Sequence, residues 1–222
     1  MRKQSLIIGL MMLFGSAAAA QNLPADLAKC SQTYLAEQLH LDYTVTNFNW
    51  EGKRSIQKGE IRKNKQNYYS AVGDEAFLVS GRMYISIDKV NRVLSYQKLN
   101  TKMPKHEPLS AVQIAQQLEL ADTIHFVGKQ NGVSAYEVLF SAGPVVRMEI
   151  QLDTKGIKKI IYHYPKATDE EEYAYKKTVI NYTKVSTVLL VNDLFKINKY
   201  LVKNGSSYIS AKQFANYEVH KL

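Results

Sequence analysis

From residue 41 onward the chain is a succession of short runs rich in Val, Ile, Thr, Tyr and Phe, broken by turns that leave room only for a reversal of direction. The runs fall at 41–50, 55–62, 66–72, 75–80, 83–88 and 93–99, and again at 123–128, 133–141, 145–152, 157–164 and 177–186. Asn64-Lys65, Gly73-Asp74, Ser80-Gly81 and 89–91 separate the first set, and Asn131-Gly132, Gly143-Pro144 and 153–156 the second. Connections this short permit antiparallel neighbours and exclude parallel crossovers, so the chain is a meander. In 145–152 the alternation is clean, with Val146, Met148, Ile150 and Leu152 on one side and Arg147, Glu149 and Gln151 on the other, as a sheet with one dry face requires.

Two helices interrupt the strands. The first is predicted over 24–39, with Pro24 at its start and Leu27, Cys30, Tyr34 and Leu35 on one face. The second follows a break at 101–108: Ser110 caps it with Gln113 reaching back, Leu109 and Ile114 stand at staple positions, and Ala111, Val112, Ala115 and Leu118 form its stripe. A short helix or turn is expected at 192–202, and 208–214 with 217–222 as a closing hairpin or edge. So many antiparallel strands in one domain twist out of a plane. The expected fold is therefore α+β: a strongly curled antiparallel sheet, a half-open β-barrel, covered on its concave face by two helices.

Residues 1–20 read as an export signal, with Arg2 and Lys3 ahead of an apolar core at 6–14 and Ala18-Ala19-Ala20 before Gln21. That core is shorter than the roughly 20 residues a spanning helix needs. The single cysteine, Cys30, lies ten positions past the signal and follows Lys29, so the expected product is exported without a lipid anchor, to the periplasm or beyond. Residues 21–222 form one domain. One thiol in an oxidising compartment leaves no internal disulfide, and Cys30 is read as a small buried hydrophobe. The formal charge is +9, two of it in the leader, and the rest is dispersed along the strands, which suits outward faces, anionic headgroups or acidic partners. Nucleic acid is not an expected partner.

Chemistry is sparse. His40, His106, His125, His163 and His220 are scattered with no metal-ligand spacing, and there is no phosphate loop, nucleophile elbow or Cys/His pair. Ser55 and Lys58 match a catalytic pattern in letters only, because in a strand they point to opposite faces. The acids at 169–172 lack the spacing of a calcium loop and read as a solvated excursion. No catalytic residue, cofactor or metal is expected, and the chain is read as a non-enzyme and a monomer.

The signal, the N-terminal helix, the meander interrupted once by a capped helix, and the run KGEIRKNKQNYYSAVGDEAFLVSGRMYISID together resemble the periplasmic lipoprotein-carrier superfamily, the LolA/LolB-like fold. The matching pieces are the strand at 59–62, the basic turn 63–65, the aromatic strand 68–71, the strand 77–80, the Gly81-Arg82 turn and the apolar strand 83–87, within a likeness that spans 24–186. The resemblance implies a concave face that holds acyl chains, and no functional residue is carried over. Phe48, Trp50, Tyr69, Phe77, Tyr84, Tyr96 and Met148 are the candidates to line such a cavity. The expected function is to bind a lipid, acyl chain or other apolar ligand. The alternative is an envelope protein-protein interaction module with a filled core and no ligand.

Overall fold

Two meanders meet at the strand that begins the sheet. The computed structural model describes residues 22–99, 111–166, 175–188 and 193–222. The leader, the 101–108 break, Leu109, Ser110 and the acids at 169–172 lie outside the described residues, as do the side chains of Ala111, Val112, Gln113 and Ala115. Helix α1 (Leu23–Leu35) precedes β1 (Gln38–Asn49), β2 (Arg54–Asn64), β3 (Asn67–Val72), β4 (Glu75–Ser80), β5 (Met83–Asp88) and β6 (Val93–Lys98). Helix α2 (Ala111–Leu118) leads into β7 (Thr123–Gln130), β8 (Val133–Leu139), β9 (Arg147–Asp153), β10 (Gly156–His163) and β11 (Tyr175–Ser186). Two short 3-10 turns follow, then β12 (Leu201–Asn204), β13 (Ser207–Ser210) and β14 (Glu218–Lys221).

Twelve strands form one sheet in the order β14-β6-β5-β4-β3-β2-β1-β11-β10-β9-β8-β7. The connection through α2 carries the chain from near one edge of the sheet to the other. The second meander then runs back until β11 pairs antiparallel with β1, over a register from His40↔Ser186 to Asn49↔Tyr175. The expected strands at 41–50 and 177–186 are thus these two central strands, each somewhat longer than its pattern suggested.

The strongly curled half-open barrel is not what forms. The sheet is open and not strongly curled, and its end strands β14 and β7 are not neighbours. The expectation placed all the cover on one face, whereas β5 and β6 bury only their back-face residues Met83, Ile85, Ile87, Leu94 and Tyr96. On the front face α1 and Ile114 of α2 pack over Leu39, Leu41, Tyr43, Tyr136, Met148, Ile150, Ile160 and Tyr182. On the back face Leu78, Ile85, Ile87, Leu94 and Tyr96 are covered by Phe195, Tyr200 and Leu201 from the C-terminal segment. With each half of the sheet covered on a different side, burial gives no reason to roll around a single cavity.

Two smaller corrections follow from the same packing. Helix α1 stops at Leu35 rather than 39, because Ala36 is extended and Leu39 and Leu41 are wholly buried as strand residues. Of the expected closing hairpin or edge, the edge forms at β14, which pairs parallel to β6 from Glu218↔Val93 to Lys221↔Tyr96, while the hairpin is β12 with β13.

Polar tethers fix α1 to the sheet. Tyr136 Oη donates to Asp26 at 2.7 Å, the Ile157 N–H donates to Tyr34 Oη at 2.9 Å, and Cys30 Sγ lies 3.3 Å from the Asp153 carbonyl. Cys30 is fully buried and burial pushes its thiol pKa up, so it packs as an inert hydrophobe. On the back of the central strands Arg62 bonds Asp42 at 2.9 Å and Glu60 at 2.7 Å, and His40 Nε2 lies 3.0 Å from Asp42. Burial pulls the Asp42 pKa up, but the Arg62 hydrogen bond and charge, with His40, outweigh it and hold the carboxyl below the usual aspartate range. Asp26 is held low chiefly by Lys29 and then Tyr136.

Carboxylates depressed in the folded state bind fewer protons than the unfolded chain does as acid is added. The stability they lend is complete above about pH 4 and drains away as pH falls through the folded values. Urea midpoints are expected to hold near neutrality and to drop below about pH 4, with a shallower drop in Asp42→Asn. An acid limb unchanged in that variant would remove Asp42 from this role. Gly59 is a second test. An added Cβ there would run into the Tyr43 ring, which lies across the gap the glycine leaves on β2. Gly59→Ala is expected to lower stability by about 1–3 kcal/mol in urea unfolding, and a neutral effect would show that the ring moves freely.

Candidate functional site

An aromatic stripe crosses the front face from the helix-covered half to the open half. Period-two alternation sends Tyr182 of β11, Tyr43 of β1, Tyr68 of β3, Phe77 of β4 and Tyr84 of β5 to the same side. Ring centroids are 5.9 Å apart for Tyr43 and Tyr182, 5.4 Å for Tyr68 and Phe77, and 6.1 Å for Phe77 and Tyr84. Gly59 lies between, and its missing side chain is what lets Tyr43 lie down towards β3. The Tyr43 and Tyr68 hydroxyls both hydrogen-bond the buried Ser70. Burial drives the pKa of both phenols up against that bond, so they stay protonated and offer neutral polar edges.

The open end of the stripe is the floor of a groove of about 620 Å³, lined by Ser70, Val72, Phe77, Tyr84, Ser86 and Val93, with Glu75, Asp88 and Asn91 at its rim. Glu75 and Asp88 face each other directly across β4 and β5, a like-charge pair that costs stability. Asp88 accepts from the Asn91 N–H at 2.8 Å and from its Nδ2 at 2.7 Å, which holds its pKa low and caps the β5–β6 turn. The groove thus presents an apolar floor, a row of serine hydroxyls and an acidic mouth. No group of His, Cys, Asp and Glu able to hold a metal is found among the described residues.

Of the sequence candidates, Phe77 and Tyr84 line this groove. Met148 is wholly buried in the front core under the helices. Tyr69 and Tyr96 are turned to the back face, where both pack in the second core and Tyr96 meets Tyr208 edge-on at 5.1 Å. Phe48 lies near the end of β1 under Lys177 Nζ at 4.7 Å, and Trp50 is exposed in the following turn with Lys176 Nζ 5.7 Å from its ring. Tyr43, Tyr68 and Tyr182 were not among the candidates. The signal for Tyr68 was present, since adjacent Tyr68 and Tyr69 in one strand must face opposite ways.

No family model matches the chain, and no curated protein matches it. Solved structures do. An uncharacterized conserved protein from Thermus thermophilus is 7% identical over 91% of this chain and 100% of that one, with a TM-score of 0.48. A LolA superfamily protein from Nitrosomonas europaea is 9% identical over 80% and 98%, with a TM-score of 0.34. The Mycobacterium tuberculosis lipoprotein LppX is 8% identical over 77% and 98%, with a TM-score of 0.41. A LolA superfamily structure is thus among those that this chain resembles, as the run at 58–88 suggested.

At the deep end of the stripe the Tyr182 hydroxyl is buried without a hydrogen-bond partner among the described residues, and burial raises its pKa strongly. A buried donor with no acceptor contributes nothing to stability and bears its desolvation cost. Tyr182→Phe is therefore expected to be neutral or stabilising in urea unfolding. A loss above about 1 kcal/mol would mean that the hydroxyl has a partner in solution.

Proposed function

We propose that this protein is an exported, non-catalytic binding protein of the bacterial envelope that holds an acyl chain or a similar apolar ligand along the aromatic stripe. The observation that carries the reading is the groove of about 620 Å³ floored by Phe77 and Tyr84, which pack on from Tyr68 on the face that also carries Tyr43 and Tyr182 in the core. A volume of that size lies within the ~300–1,000 Å³ of small-molecule sites. Protonated phenols beside Ser70 supply fixed hydrogen-bonding positions without a charge, which suits an ester or amide next to a hydrocarbon chain. The acidic mouth disfavours an anionic head. No helix among the described residues is long and apolar enough to cross a membrane.

The test is native mass spectrometry of protein recovered from the periplasm, together with displacement of a fluorescent fatty-acid analogue. A bound lipid and a displaceable probe are expected, with Phe77→Asp weakening probe affinity about tenfold or more by placing a charge on the apolar floor. A thermal melt of the variant separates lost binding from lost fold. No bound lipid together with no probe displacement would sink the proposal.

One observation favours the alternative of a protein-protein interaction module. Edge strand β7 shows Ile124, Phe126 and Val127 at 38%, 43% and 67% exposure. An apolar free edge invites strand addition. Loss of a co-purifying protein on Val127→Lys, with the fatty-acid probe inert, would favour it.

A further inference from the structure

The hairpin of β1 and β2 projects beyond its neighbour β3. The last β2–β3 pair is Gly59↔Val72, followed by one bond from the Gly73 N–H to the Lys58 carbonyl, whereas β2 pairs with β1 as far as Arg54↔Phe48, so residues 54–57 have no strand partner on their other side among the described residues. All of 50–58 is exposed. This projection sits at the end of the sheet where the groove opens, beside the Gly73 turn that joins β3 to β4.

Its composition is amphipathic. Trp50, Ile56 and Tyr175 are 39%, 57% and 46% exposed, and Phe48 is half-buried on the back face between its register partners Arg54 and Lys177. Lys53, Arg54, Lys58, Lys176 and Lys177 supply five cations, against one carboxylate, Glu51, which Lys53 engages at 2.8 Å. Lys176 and Lys177 lie over aromatic rings rather than beside acids. Aromatic rings with an apolar body and polar tip, interleaved with lysines whose heads reach outward, are the side chains that settle at a bilayer's headgroup level.

We infer that this hairpin tip is a docking surface for an anionic lipid bilayer, on which the groove mouth comes to rest close to the headgroups. The inference deepens the carrier reading and takes its purpose from it. A carrier whose site opens beside its membrane contact can exchange an apolar ligand without exposing it to water. Glu75 and Asp88 at the groove mouth, and the acids at 169–172 that precede Tyr175 in sequence, reduce the net attraction, so the tip cations must outreach the mouth and the rings must supply part of the affinity.

Trp50 is the single tryptophan of the chain, so emission excited at the red edge, where the 15 tyrosines do not absorb, reports the tip alone. Protein recovered from the periplasm is mixed with vesicles of phosphatidylglycerol and, separately, of phosphatidylcholine. Co-sedimentation with the anionic vesicles and a blue shift of Trp50 emission are expected, both weakened by ~0.5 M salt and both much smaller with phosphatidylcholine. Reversing Lys53, Arg54 and Lys177 to Glu should lower partitioning about tenfold or more, with the thermal melt and fatty-acid probe binding retained. Neutralising 169–172 should raise it. Should the reversed variant fail to fold, quenching of Trp50 by brominated lipid in the unaltered protein decides the matter. Absence of sedimentation, or sedimentation without any change at Trp50, overturns the inference. So does equal capture by a polyglutamate resin, which points to an acidic protein instead. Vesicle binding with an inert fatty-acid probe would sink the carrier reading and support the docking.

Discussion

The pairing of β1 with β11 holds the rest of the structure together. Without it there would be two separate meanders, each with a raw central edge, and the helices would have half a platform to cover. The pairing joins residues 38–49 to 175–186, and it also completes the front core by setting Tyr182 against Tyr43 and Ile180 against Val45. Such a contact is costly to form because a long loop must close before any hydrogen bond is gained. Once formed, it aligns the front-facing residues of both halves into one surface, because side-chain alternation is shared across a register. The aromatic stripe is the direct product of that alignment.

Much of this was legible in the chain. Eleven period-two runs correspond to β1 through β11, and the turns at Gly73, Gly81 and Asn131-Gly132 lie where the strands reverse. The clean alternation of Val146, Met148, Ile150 and Leu152 predicted one dry side; the last three are buried, while Val146, which precedes β9, is exposed. The burial of β3 and β4 on both faces was also written there. In β4, Ala76, Phe77, Leu78 and Val79 form an unbroken apolar run, the mark of a strand covered on both faces. The expectation of a curl rested on the number of twisted strands in one domain and took no account of this run. The pairing of β14 was not legible, because four residues reading Glu-Val-His-Lys carry no period and a parallel edge partner leaves no turn signal.

The site candidates divide by the same logic. Residue type alone selected Tyr69 and Tyr96 with Phe77 and Tyr84, but parity along the strands separates them: the first two look backward and the last two forward. Trp50 precedes Glu51-Gly52-Lys53, and Gly52 adopts a φ of +83°, so the chain turns there and no strand remains to aim the indole inward. An aromatic residue in a sequence reports a capacity for burial, while the register decides against which surface it is used.

The second core has a bearing on how the chain reaches its final state. Residues 193–222 cover the back of β3 to β6, and residues 175–186 seal the inner edge of β1, so both protective elements come from the end of the sequence. A chain made from its N-terminus presents sticky ribbon well before its own wrapping arrives. Non-local strand pairing of this kind is slow. Such a molecule depends, during the interval of its emergence, on being kept apart from its siblings.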